Sequence, residues 1–333
     1  MIPADEYKKP VDFKSPFVEN NNTHALIFKL CYLPCAGDAV KYGSEHGSRA
    51  LSLIGRRLSR FRKGTITMSE LNLREKYGEW GIILGATEGV GKAFCEKIAK
   101  GGMSVVMVGR RDQMLKELGE DLKAKYGVDY KVVKADLSLK DATDSIFAAT
   151  EGLDMGFMSY VACLHSFGKI QDTPWEKHEA MMTLNVYNFM KCFYHYMCIF
   201  AAQDRGAVIN ISSMTAVSSS PWNGQYGAGK SYNLKMTEAV AGECENTNVD
   251  VMAITLGTTL TPSLLRNLPG GPAGEAVMKK ALTPEQVADE AFEHLGKELS
   301  VIAGEANRIS IHDWKANHTE DEYIRYMGSF YSN

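Results

Sequence analysis

Several common signals are missing from this 333-residue chain. It has no strong charge of either sign: 37 Lys and Arg against 40 Asp and Glu leave a net charge of −3. That balance gives no general electrostatic reason to bind nucleic acid. It has no zinc-type cysteine pattern either. The seven cysteines, at 31, 35, 95, 163, 192, 198 and 244, are odd in number and irregular in spacing. Cys31 and Cys35 lie four apart, with no second pair or histidine cluster to complete a metal site. Reduced thiols in a cytoplasmic protein, and no metal, are expected. The first residues include Asp5, Glu6, Lys8 and Lys9 where a secretory signal would carry an apolar run. The stretch 25–37 is interrupted by Lys29 and is too short to cross a bilayer. Internal repeats and low-complexity segments are absent. A hydrophobic content of 45% and a charged content of 23% remain, ordinary values for a soluble chain with one large core.

From about residue 79 short apolar runs alternate with amphipathic segments. Candidate strands lie at 80–84, 103–108, 130–133, 157–162, 208–211, 249–254 and 299–303. Several are nearly continuous in Val, Ile and Met, as parallel strands covered on both faces require. Leu115, Leu118 and Leu122 recur at helical spacing. Thr283-Pro284-Glu285-Gln286 reads as a capping box with proline at the first helical position, ahead of Val287, Ala288 and Ala291. The alternation predicts an α/β fold with a doubly wound parallel sheet over residues 76–333.

Residues 1–75 break that rhythm. Leu51, Leu53, Ile54, Leu58 and Phe61 stand among Arg49, Arg56, Arg57, Arg60, Arg62 and Lys63. This basic amphipathic pattern predicts a helical extension docked on its own domain or on a neighbouring subunit. Peripheral contact with an anionic membrane surface is the alternative. A homo-oligomer is expected.

Two places speak of a dinucleotide. Gly85-Ala86-Thr87-Glu88-Gly89-Val90-Gly91 follows a strand and opens a helix. Residues without Cβ let backbone N–H groups approach a pyrophosphate, and the helix terminus adds partial positive charge. The second strand then ends in Gly109-Arg110-Arg111, where NAD-selective folds place an acidic side chain for the ribose hydroxyls. A guanidinium matches a 2′-phosphate by charge and shape, and no carboxylate stands at that position to repel it. NADP(H) is therefore expected; a solvated charge pair opening the next helix is the plainer alternative.

Chemistry enters with Tyr226-Gly227-Ala228-Gly229-Lys230. Spacing by four places both side chains on one helix face. An ammonium near a phenol lowers its pKa, giving a general acid for a carbonyl oxygen and a base for the reverse. Upstream, Ile209-Asn210-Ile211-Ser212-Ser213 ends a candidate strand in hydroxyls that can hold a substrate oxygen facing the tyrosine.

Together these elements resemble the short-chain dehydrogenase/reductase family over about residues 78–305. The turn 85–91 is similar to the family's T-G-x-x-x-G-x-G, and Tyr226 with Lys230 to its Y-x-x-x-K. Ser213 stands at the usual distance before the tyrosine. Asn185, in Leu184-Asn185-Val186, stands where the tetrad asparagine belongs, and Asp136-Leu137 resembles the pair that contacts adenine. The resemblance implies a Rossmann fold with Tyr226 as acid/base and Lys230 on the nicotinamide ribose. It also implies Ser213 orienting the carbonyl and Asn185 supporting a proton relay. The wording of the glycine turn leans toward the 17β-hydroxysteroid dehydrogenase and 3-ketoacyl-CoA reductase branch.

Three departures stand out. Leu84 replaces the first threonine of the glycine motif. The family's N-N-A-G reads Tyr160-Val161-Ala162-Cys163, so its asparagine network is missing or rebuilt. P-G-x-x-x-T reads Leu256-Gly257-Thr258-Thr259-Leu260-Thr261, keeping Gly257 and Thr261. The cofactor group expected on these grounds also takes in Ala162 and Thr259. The segment 258–281 carries Leu260, Leu264, Leu265 and Leu268 around Pro269-Gly270-Gly271-Pro272, which suggests a lid over an apolar ketone or alcohol: a steroid, a 3-ketoacyl group or an aromatic ketone. A cofactor-binding sensor or scaffold with little turnover is the competing reading. Loss of N-N-A-G favours it, and the complete tetrad opposes it.

Overall fold

The computed structural model describes residues 72–267, 278–279 and 281–329. The N-terminal set around Leu51, Ile54, Leu58 and Phe61 and the lid residues 268–272 lie outside them. Among the described residues, no helix is long and apolar enough to cross a membrane.

Seven parallel strands form one sheet in the order β3-β2-β1-β4-β5-β6-β7. They are β1 (Trp80–Leu84), β2 (Ser104–Gly109), β3 (Tyr130–Lys134), β4 (Met155–Tyr160), β5 (Gly206–Ser213), β6 (Val249–Leu256) and β7 (Ser300–Ile302). Neighbouring residues of one strand feed opposite cores, as the two-residue period of a strand dictates. Ile83, Val105 and Met107 pack with Phe94, Leu115 and Val287. Ile82, Leu84, Val106 and Val108 pack on the other face with Ile146, Phe189, Phe193 and Phe200. Helices therefore cover both faces, and the doubly wound sheet is present.

Helix α1 (Leu73–Tyr77) buries Leu73 and Tyr77, and the Tyr77 hydroxyl donates to Asp250 at 2.7 Å. The boundary drawn at residue 75 thus falls inside a helix of the sheet domain. Helices α2 (Gly89–Lys100) and α3 (Asp112–Tyr126) follow β1 and β2, and α4 (Ala142–Thr150) follows β3. After β4, α5 (Trp175–Met182) runs through a π-helical turn (Thr183–Asn188) into α6 (Phe189–Gln203). Helix α7 (Gly224–Glu243) follows β5, α8 (Pro262–Asn267) follows β6, and α9 (Pro284–His294) opens with the expected capping box of Thr283 and Gln286. Two C-terminal helices, α10 (Glu305–Asn317) and α11 (Glu320–Ser329), were not anticipated. Reciprocal bonds between Thr319 and Glu322 start α11, a capping signal present in the sequence.

Sheet order reverses between β1 and β4, so the crevice of a doubly wound fold opens at their carboxyl ends. The two chains leave the sheet in close contact. The Leu84 carbonyl accepts from both Val161 N–H (2.9 Å) and Ala162 N–H (2.7 Å). This turn is why β4 ends at Tyr160, two residues short of the expected strand. Gly85 has φ +101°, and a Cβ there would lie 2.6 Å from Ala162 N. A Cβ on Gly91 would lie 1.9 Å from the Gly85 carbonyl oxygen.

Gly91→Ala is therefore expected to destabilise the fold by about 1–3 kcal/mol through forced backbone displacement. Urea unfolding measures this, and an unchanged midpoint would contradict the close approach.

Candidate active site

Strand β5 delivers Ser212 and Ser213 to the crevice, and α7 delivers Tyr226 and Lys230. The Ser212 hydroxyl donates to the Lys230 carbonyl at 2.9 Å, which fastens strand to helix. Ser213 Oγ accepts from Thr215 N–H (3.3 Å) and Thr215 Oγ1 (3.0 Å), and its hydroxyl acts on Tyr226 by lowering the phenol pKa. Lys230 is only 2% exposed; its Nζ donates to the Ile211 carbonyl at 2.9 Å and stands 6.0 Å from the Tyr226 ring centroid.

Electrostatics here correct one expectation. The ammonium was to lower the phenol pKa, but burial instead holds Tyr226 well above its ordinary value, with Cys163 adding to the rise and Ser213 opposing it. Burial likewise lowers the pKa of Lys230. Loss of water outweighs the lysine because its Nζ is turned to a carbonyl and not to the phenol.

Asn185 lies in the π-helical turn, a rare form that recurs at functional sites. Its amide binds Leu164 twice: Leu164 N–H donates to Oδ1 (2.9 Å) and Nδ2 donates to the Leu164 carbonyl (2.7 Å). The Asn233 amide, with its nitrogen turned inward, reaches the carbonyls of Asn185 (2.9 Å) and Gly229 (3.2 Å), tying the turn to α7. Tyr160 donates to the Leu184 carbonyl at 2.7 Å. Bonds to the 160–164 segment thus come from Tyr160 and Asn185, so the network absent from Tyr160-Val161-Ala162-Cys163 is rebuilt from other groups.

His165, missed in the sequence, meets the Tyr226 ring edge to face (4.7 Å, 82°). Partial loss of water around the ring lowers its pKa; the Asn223 side chain, at the N-cap of α7, opposes this and the Lys177 charge adds to it. Trp222, just before, has φ +60°, a strained conformation for a bulky residue. The Gly168 N–H donates to its carbonyl at 2.9 Å. Helix α11 closes on the same loop, since Ser219 N–H donates to Glu320 at 2.9 Å. No short motif links these positions, which is why sequence reasoning passed over them.

The turn 85–91 forms a cradle that Cβ atoms on Gly85 and Gly91 would fill. Glu88 is the N-cap residue of α2 and makes no side-chain cap bond, so the first N–H groups of the helix, around Val90, have no side-chain cap to satisfy them. These features fit a pyrophosphate. Thr261 packs on Gly89, where a Cβ would lie 2.9 Å from its Cγ2. Thr259 pairs with Leu282, and its hydroxyl donates to the Gly257 carbonyl at 3.3 Å. Asp136 accepts from Ser138 N–H (3.0 Å) and Oγ (2.7 Å). Burial alone would raise this carboxyl, but those bonds and the Arg110 charge prevail and hold it low. The Leu137 carbonyl accepts from Asn188 Nδ2 at 2.8 Å.

At the end of β2 the expected absence of a carboxylate needs correcting in three dimensions. Glu88 reaches there from the glycine turn and pairs with Arg111 at 2.8 Å, while Arg111 also donates to Thr87 Oγ1 at 2.8 Å. Among the described residues, no group of three or more His, Cys, Asp or Glu could hold a metal ion.

A parallel sheet with a glycine cradle at its switch point, and a tyrosine, lysine and serine gathered beside it, defines a dehydrogenase of the dinucleotide-binding class. The chain belongs to the short-chain dehydrogenase family, whose model matches residues 79–268. It is 81% identical over 261 residues to a 7beta-hydroxysteroid dehydrogenase of Mediterraneibacter gnavus, covering 78% of this chain and 99% of that protein. To the enzyme of that name from Collinsella aerofaciens it is 78% identical over 261 residues, again 78% and 99% of the two chains. A solved structure from work on 7beta-hydroxysteroid dehydrogenase stereoselectivity superposes with a TM-score of 0.75 at 78% identity, covering 77% of this chain and 99% of that one. More distant relatives include a mouse 17-beta-hydroxysteroid dehydrogenase type 3, 28% identical over 70% of this chain and 76% of that protein.

Asn185→Leu removes both side-chain bonds to Leu164 in the middle of the 162–168 loop. A loss of about 1–3 kcal/mol is expected because the Leu164 backbone groups are left unpaired. Chemical denaturation measures it, and a neutral result would mean the loop is held elsewhere.

Proposed function

We propose that this oxidoreductase is an NADP(H)-dependent 7β-hydroxysteroid dehydrogenase, interconverting a 7-ketosteroid and its 7β-alcohol. The observation that carries the substrate is the 81% identity extending over 99% of the M. gnavus enzyme. Identity that high leaves little room for a different pocket, and it narrows the expected apolar ketones to the steroid. The coenzyme reading rests on Gly109, Arg110 and Arg111 at the end of β2, with Thr87 beside them.

Gly85, Gly89, Val90, Gly91 and the start of α2 would hold the pyrophosphate, Asp136 and Leu137 the adenine, and Ala162, Gly257, Thr259, Thr261 and Lys230 the nicotinamide half. The bound nicotinamide supplies or accepts the hydride. Tyr226 holds the proton that the ketone oxygen requires, and the Ser213 hydroxyl, which acts on the phenol, offers the second contact that orients that oxygen. Asn185 holds the loop beside them through Leu164; its part in a proton relay is what the family resemblance assigns to it. The contacts made by Tyr160 and Asn185 around this segment support the enzyme over a sensor or scaffold.

Tyr226→Phe is expected to lower turnover by about 10²–10⁴-fold while coenzyme still binds, since the ring fills the same space and only proton transfer is lost. Retention of most of kcat would refute the role. With NADPH, 7-ketosteroid reduction is expected to exceed reduction of 3-ketoacyl thioesters and aromatic ketones; a faster thioester would overturn the substrate.

The raised Tyr226 pKa also gives a sign to the pH dependence. Ketone reduction uses the protonated phenol and should hold steady across neutral pH, whereas alcohol oxidation needs the phenolate and should accelerate as pH rises. Initial rates in both directions, at saturating coenzyme, test this. Oxidation that slows with rising alkalinity would reject the assignment of the base.

A further inference from the structure

Glu88 pairs with Arg111 at the end of β2, and it is not held by Arg111 alone. Arg266, on α8 and 178 positions further along the chain, binds it with both guanidinium nitrogens: Nη2 to Oε1 at 2.6 Å and Nη1 to Oε2 at 3.2 Å. Arg111 Nη1 takes the remaining approach to Oε2 at 2.8 Å. The side chain of Glu88 is only 18% exposed, and its pKa is lowered first of all by the Arg266 bond. Nothing in the catalytic group uses this contact.

The arrangement sets two cations against one anion. With Arg111 as sole partner, Glu88 would cancel the guanidinium meant for a 2′-phosphate, and its free charge would repel that dianion. With Arg266 taking the carboxylate in a bidentate fork, one positive charge is left over beside Thr87. We infer that Arg266 is a positioning residue for coenzyme choice: it shares Glu88 with Arg111 and offsets its charge, so that the three-residue group keeps a net positive charge toward a 2′-phosphate. The ligand class this favours is a nucleotide phosphorylated on its adenosine 2′-oxygen, over one with a free 2′-hydroxyl. The inference rests on the NADP(H) reading above and assigns part of the selectivity to a residue outside both the glycine turn and the end of β2.

A double-mutant cycle tests it by binding, without turnover. Dissociation constants for NADPH and NADH are measured by fluorescence titration, and for adenosine 2′,5′-bisphosphate and 5′-AMP by competition. The proteins are wild type, Arg266→Ala, Glu88→Gln and the double variant. Arg266→Ala is expected to weaken NADPH and the bisphosphate by about three- to tenfold, a size suited to a partly exposed ion pair, and to change NADH and 5′-AMP by less than about twofold. In the Glu88→Gln background the same substitution should lose most of its effect, because the charge it compensates is gone.

An equal loss in both backgrounds would show Arg266 acting as a general positive charge and would overturn the inference. Parallel weakening of NADPH and NADH, or no weakening of either, would overturn it too. A wild type that binds the two coenzymes equally would defeat the NADP(H) reading itself, an outcome distinguishable because it needs no variant. Arg266 is exposed, so an unchanged melting temperature is expected to accompany the selective loss.

Discussion

The Leu84 carbonyl is the point on which the site depends. It accepts two successive N–H groups, from Val161 and Ala162, and so binds the end of β1 to the first residues beyond β4. Those strands flank the reversal of sheet order, where the crevice of a doubly wound sheet opens. Everything chemical hangs from this junction. On one side it places the glycine turn and α2; on the other it starts the loop that carries Cys163, Leu164 and His165 against Asn185 and Tyr226. A carbonyl suffices for this, which is why Leu84 can stand where relatives of the family carry threonine.

The parts that could be read in advance are those encoded by local period or local motif. All seven strands were anticipated because most are nearly continuous in apolar residues, and errors fell only at their ends. Helix α9 was anticipated from Thr283, Pro284 and Gln286, which act within one turn. Tyr226 and Lys230 lie on one helix, and four-residue spacing was enough to pair them.

Other features join residues far apart in sequence. Glu88 meets Arg266 across 178 positions, and Tyr77 meets Asp250 across 173. No window of sequence holds both partners. The phenol pKa escaped for a different reason: a spacing reports that lysine is near, but it does not report how far the phenol is withdrawn from water or that Nζ faces Ile211. Replacement of the N-N-A-G network by Tyr160 and Asn185 was equally hidden. The family pattern marks a loss at 160–163, whereas the compensating acceptor, Leu184 O, lies on another helix.

The π-helical turn at Thr183–Asn188 constrains the length of the chain as well as its shape. The turn contains one residue more than an α-helix would need, and it lets Asn185 face the 164 loop while Asn188 reaches Leu137 and Leu139. Removing a single residue there would regularise the helix and rotate α5 by about 100° against α6. Both asparagines could not then keep their partners. Insertions and deletions should accordingly collect in the loops on either side, leaving residue count through α5 and α6 among the least variable features of this protein.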